Sequence, residues 1–149
     1  MVHRLIGQDR LWIEPPSRRS SCLDEIDGLV DWQPIMTLLA SLYPATKGEP
    51  AWPPLAMFKA LLLSVWHDLS DVKLAEALDD RASFRRFCGF ARHEPTPERT
   101  AFVRYRAALV AHGLDRALFR AVSAQLKARA IRVKTGTLVD ATIIASASE

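Results

Sequence analysis

Two sets of residues in this chain have the types and spacing to do chemistry. The first is a single acid, Asp140, set in an aliphatic and β-branched stretch from Lys134 to Ser146. Leu138, Asp140, Thr142 and Ile144 alternate there with Val139, Ala141, Ile143 and Ala145, so a two-residue period places the carboxylate on one face of a strand whose other face is apolar. An acid in such a strand needs a cation, a metal ion or hydrogen-bond donors, or else it takes up a proton. A solvated strand-end acid, or one paired with an arginine, fits the same residues. The second set is cationic. Residues 81–134 hold 13 Lys/Arg against 3 Asp/Glu, whereas residues 1–80 hold 7 against 12. A net charge of +10 in one segment of a chain that is +3 overall is the footprint of a polyanionic partner rather than of a small-molecule pocket.

The elements that must position these residues are mostly helical. Asp31 is placed to cap a helix from Trp32 to about Leu42, with Pro34 in its first turn and Ile35, Leu38, Leu39 and Leu42 on one face. Pro54 opens a second helix that runs to about His67 and is apolar nearly all round, which marks it as central. Ser70 caps a third, Asp71 to Leu78; a turn leads to a fourth around Phe84, Arg85, Arg86 and Phe87, closed by Gly89. Thr96 as cap and Pro97 at the first position start a fifth, which runs on through Arg99 to His112 and carries Phe102, Tyr105 and Leu109 inward. On it Arg99 and Arg106 share one flank and Arg104 takes the other. The sixth, Leu114 to about Arg129, sets Leu118, Phe119, Val122 and Leu126 on one arc and Arg116, Arg120, Ser123 and Lys127 opposite. That basic stripe reads as a phosphate-contacting face, with a merely solvated face as the alternative. Short helices joined by brief turns, with arginines on the last ones, are compatible with a helix-turn-helix-like cluster.

Composition narrows the class further. The length of 149 residues predicts one domain with a real core, and 49% hydrophobic with 25% charged residues is an ordinary globular balance. Cys22 and Cys88 form neither a metal pair nor a disulfide framework, and the N-terminus lacks the apolar core of a signal peptide; both features predict a cytoplasmic protein. The longest apolar run, Leu55 to Trp66, contains Lys59 and is too short to span a bilayer, so no membrane partner is expected. No phosphate-binding glycine loop, dinucleotide fingerprint, zinc spacing or internal repeat is present, and the four scattered histidines make no ligand set.

Four blocks in order carry a family resemblance: Trp52 to Trp66 followed by Leu69-Ser-Asp, Leu78 to Gly89, Pro97 to Arg106, and Gly136 to Ile144. Together they resemble the N-terminal part of bacterial insertion-sequence DDE transposases of the type-five group, over about residues 23–146. The resemblance implies a helical region that engages the terminal inverted repeats of the element. It also implies a following ribonuclease-H-like domain whose first strand carries the first of three catalytic acids, here Asp140. In such an enzyme carboxylates hold two divalent cations that activate the attacking oxygen and stabilise the leaving one, and Mg²⁺ or Mn²⁺ suits an oxygen-ligand site of this kind. The second aspartate and the glutamate of that set are not found among these residues, so the sequence predicts a fragment that binds no metal and is inactive in strand transfer by itself.

The expected architecture is therefore mainly α. It comprises an irregular arm over 1–22, solvated and flexible, a helical DNA-binding bundle over 23–130, and over 131–149 a β-strand that begins a truncated ribonuclease-H-like domain. The expected DNA contacts are Arg85, Arg86, Arg99, Arg104, Arg106, Arg116, Arg120 and Lys127. Two other readings are a non-catalytic regulator that inhibits full-length transposase, by occupying the element ends or by mixed oligomers with it or with itself, and a helical protein-interaction domain that binds no DNA.

Overall fold

The computed structural model describes residues 4–7, 22–42 and 51–129. They form seven helices: α1 (Cys22–Leu29), α2 (Gln33–Leu39), α3 (Pro54–Trp66), α4 (Asp71–Asp80), α5 (Ala82–Cys88), α6 (Arg99–Ala111) and α7 (Asp115–Ala128). The mainly helical expectation holds over these residues. The expected strand with Asp140, and the arm from 8 to 21, lie outside them.

The bundle is built around α3. Every residue from Ala56 to Trp66 is buried, as an all-round apolar helix requires, and the helix packs against α2, α4, α5 and α6. Its Phe58 meets Phe119 of α7 edge-on at 5.4 Å between ring centroids, and its Trp66 meets Phe87 of α5 at 5.9 Å. The stripe Phe102, Tyr105 and Leu109 buries α6, and Leu118, Phe119, Val122 and Leu126 bury α7. Both stripes follow the helical period read from sequence.

Local chemistry sets the boundaries. Ser70 is extended and its Oγ accepts from the Lys73 amide at 3.2 Å, so it caps α4 as expected. Gly89 ends α5 with φ of +96°, a left-handed conformation that suits glycine, and the amides of Gly89 and Phe90 both donate to the Arg85 carbonyl. Two caps differ from expectation. The extended residue before α6 is Glu98, not Thr96, so the helix begins two residues later, beyond Pro97. The Asp31 carboxylate accepts from the Gln33 amide at 3.1 Å, but α2 starts only at Gln33 and stops at Leu39.

Helix α1 is absent from the sequence reading, although Leu23, Ile26 and Val30 are buried with helical spacing and Asp24 and Glu25 sit in its first turn. Residues 4–7 also depart from the expected solvated arm. The Arg4 amide donates to the Ala51 carbonyl at 2.8 Å, and its guanidinium lies 4.5 Å from the Trp52 ring centre. The Gly7 amide donates to Glu94 Oε1 at 2.6 Å, and the same oxygen accepts from the Ala91 amide at 2.7 Å. This short segment is thus tied to the start of α3 and to the loop after α5.

Candidate nucleic-acid interface

The cations of the basic segment divide into those the fold consumes and those it leaves outward. Arg85 belongs to the first group: it is only 9% exposed. Its Nη1 donates to the carbonyls of Ala91 and Glu94 at 2.9 Å each, while Nε and Nη2 reach the Asp79 carbonyl. A planar fork with fixed donors can clasp the end of α4 and the loop after α5 in this way, and a phosphate has no access to it. Arg85, expected as a DNA contact, is thus placed in the interior with its donors engaged by the fold, a position that alternation with aromatics did not reveal.

Arg106 is also engaged. Its Nη2 and Nε donate to Asp71 Oδ1 at 2.7 and 3.1 Å, and Nη2 lies 3.4 Å from Ser64 Oγ, so it fastens α6 to the first turn of α4 and to α3. Arg86 is at the surface but paired with Asp24 of α1 at 3.3 Å. In each case the partner acid comes from the first half of the chain. The charge imbalance between the halves is thus partly neutralised by contacts between them.

Arg99, Arg104, Arg116, Arg120 and Lys127 are exposed and form no ion pair among the described residues. Arg92 and Arg129 share that status, and the sequence reading did not single them out. On α7, Arg116, Arg120 and Lys127 lie opposite the buried Leu118, Val122 and Leu126, which keeps the stripe on the outer surface. The helix is held in place partly by Gln125. Its Oε1 accepts from the Asp31 amide at 2.7 Å and its Nε2 donates to the Asp31 carbonyl at 2.9 Å, so one side-chain amide locks α7 to the junction of α1 and α2. Only three acids accompany these cations between residues 81 and 129: Glu94, which accepts two backbone amides, Glu98 and Asp115.

Among the described residues, the one buried ammonium has a different surrounding. Lys59 projects from α3 onto Asp27 Oδ1 at 2.7 Å, with its Nζ 4.5 Å from the Trp32 ring centre and 5.4 Å from that of Phe87. Ion pair and aromatic faces together compensate a charge in an otherwise apolar helix. Burial pushes the neighbouring Cys88 thiol far up, against the lowering influence of Lys59 and with a further raise from Asp27. Cys88 is thus a protonated packing residue, whereas Cys22 is exposed.

Among the described residues no group of three or more His, Cys, Asp or Glu is placed to hold a metal ion. Asp140, expected to hold a metal only when completed by the acids not found in this sequence, lies outside them, as do Arg132 and Lys134. No described helix is long and apolar enough to cross a membrane. A family model described as a transposase domain (DUF772) matches residues 13–108, a stretch that takes in α1 to α5 and most of α6 and stops before α7. No solved structure matches the chain.

Proposed function

From the premise that this chain belongs to the transposase-domain family, we propose that its helical region, residues 23–130, binds duplex DNA at the terminal inverted repeats of an insertion sequence. The carrying observation is the sorting of charge. The acids Asp24, Asp71 and Asp79 are engaged with Arg86, Arg106 and Arg85, while the exposed cations of α6 and α7 have no acidic partner among the described residues. A surface of exposed arginines and lysine attracts phosphate and gains affinity by releasing its counterions. The stripe Arg116, Arg120 and Lys127 contacts the sugar-phosphate backbone, a contact that sets orientation more than sequence.

Within the family we assign the chain to the type-five DDE group on its ordered blocks, with Asp140 as the first acid of the metal-holding set. Mg²⁺ or Mn²⁺ bound by that set in the complete enzyme supplies Lewis-acid activation of the reacting oxygens. The described residues contribute to that reaction by holding the DNA.

Fluorescence anisotropy with two labelled duplexes tests the binding. One carries the inverted repeats that flank the coding sequence and the other the same bases shuffled. The account expects the repeat duplex to bind at least about tenfold more tightly at moderate salt. Equal binding to both removes the assignment to element ends, and no binding to either at low salt removes the DNA reading altogether.

A further inference from the structure

Sequence-specific recognition needs side chains that reach base edges, and the structure narrows where they are. Of the arginines between Phe84 and Arg106, Arg85 and Arg106 are spent on internal contacts and Arg86 is paired with Asp24. Arg92, in the loop before α6, is exposed, as are Arg99 and Arg104 on α6 itself. Opposite the buried Phe102, Tyr105 and Leu109, this helix presents Thr100, Val103, Arg104, Ala107 and Val110, which at 3.6 residues per turn share roughly a third of its circumference. Val103 is 45% and Val110 60% exposed and, with the exposed Ala107 between them, they give this face a contiguous apolar strip beside Arg104.

We propose that the outward face of α6 is the sequence-reading surface, seated in the major groove of duplex DNA. This rests on the DNA-binding reading above and adds to it which element reads and with what. The major groove admits an α-helix, and short outward side chains let the helix backbone come close to the base pairs. Arg104 has the fork that pairs with N7 and O6 of guanine, Thr100 has a hydroxyl for a base edge, and Val103 and Ala107 offer methyl surface to thymine. Charge favours this occupant: Arg92 and Arg99 have no ion-pair partner among the described residues, and Glu98 at the helix start is the nearby exposed acid. The helix is also held rigidly from behind. Tyr105 Oη donates to the Pro54 carbonyl at 2.7 Å, and Arg106 fastens it to Asp71, so its register against a groove is fixed before binding.

The test is selection of the full chain against a pool of duplexes with a randomised central tract, for the wild type, Arg104→Ala, Val103→Ser and the triple variant Arg116→Gln/Arg120→Gln/Lys127→Gln. The proposal expects a wild-type motif that loses preference at one or two positions in Arg104→Ala and at a different one in Val103→Ser. Both variants should retain affinity for the unselected pool within about threefold. The triple variant should select the wild-type motif with weaker binding throughout. An unchanged motif in Arg104→Ala and Val103→Ser overturns the assignment of α6, as does a wild type that binds the pool yet enriches nothing; both outcomes leave general DNA binding standing. A wild type that binds no duplex at low salt overturns both. Light scattering of the same proteins without DNA checks the rival occupant: a dimer that Val103→Asp and Val110→Asp dissolve assigns this face to a second copy of the chain and overturns the proposal.

Discussion

Arg106 of α6 donates through two nitrogens to a single carboxylate oxygen of Asp71, at 2.7 and 3.1 Å, and Asp71 stands in the first turn of α4 where a negative charge is favoured by the helix. The pair links residues 35 positions apart and ties α6 to the first turn of α4. Arg106→Met and Asp71→Ala should each lower unfolding free energy by about 1–2 kcal/mol, with a coupling of about 1 kcal/mol in the double-mutant cycle. Urea denaturation of the four proteins measures this. A coupling near zero would reduce the pair to a solvated surface contact.

The Lys59–Asp27 pair predicts an asymmetry. Removing the carboxylate strands an ammonium in the core, so Asp27→Ala should cost about 2–3 kcal/mol, eased by the faces of Trp32 and Phe87. Replacing the cation with an apolar side chain of similar length leaves Asp27, whose side chain is 37% exposed, to be solvated; Lys59→Met should change stability by less than about 1 kcal/mol. Thermal or urea unfolding that ranks Lys59→Met as the worse variant contradicts the account.

Cys88 gives a pH dependence with a definite sign. Its thiol is raised from an ordinary value of 9.0 by burial, so above that pH the unfolded chain loses the proton while the folded one keeps it. The unfolded state then binds fewer protons, and this residue makes stability fall as pH rises beyond about 9. In the native protein at pH 8 a thiol-specific reagent should label Cys22 quickly and Cys88 only on unfolding. Equal rates at the two cysteines would show that the α5 end opens readily.

Arg85 tests whether its guanidinium fork or merely its charge matters. A lysine cannot reach the carbonyls of Asp79, Ala91 and Glu94 together, so Arg85→Lys should destabilise by about 2–3 kcal/mol. The folded fraction should bind DNA with the wild-type salt dependence. A variant of full stability whose salt dependence has changed would return Arg85 to the interface.

Much of the bundle is legible in the chain because it follows from periodicity. The apolar circumference of Pro54 to Trp66 marks α3 as central, and the stripes of α6 and α7 can be counted off residue by residue. Helix α1 escapes because it is eight residues long and buries only Leu23 and Ile26, set among Asp24, Glu25 and Asp27. The division of the arginines escapes for another reason. Arg85, Arg86 and Arg106 are like Arg99 and Arg104 in type and neighbourhood, and only the tertiary placement of Asp79, Asp24 and Asp71 separates them. Gln125, whose amide clasps the backbone of Asp31 across 94 positions, has no local signature at all.

The central claim is that the exposed cations with no acidic partner among the described residues are there for phosphate. Its most direct measurement is the slope of log affinity against log salt for duplex DNA, compared between the wild type and Arg116→Gln/Arg120→Gln/Lys127→Gln. The account predicts a negative wild-type slope that becomes shallower by about 0.9 for each phosphate contact removed, roughly 2–3 in all, with weaker binding to every sequence. A triple variant with wild-type affinity and slope, or a wild type whose binding ignores salt, would contradict it.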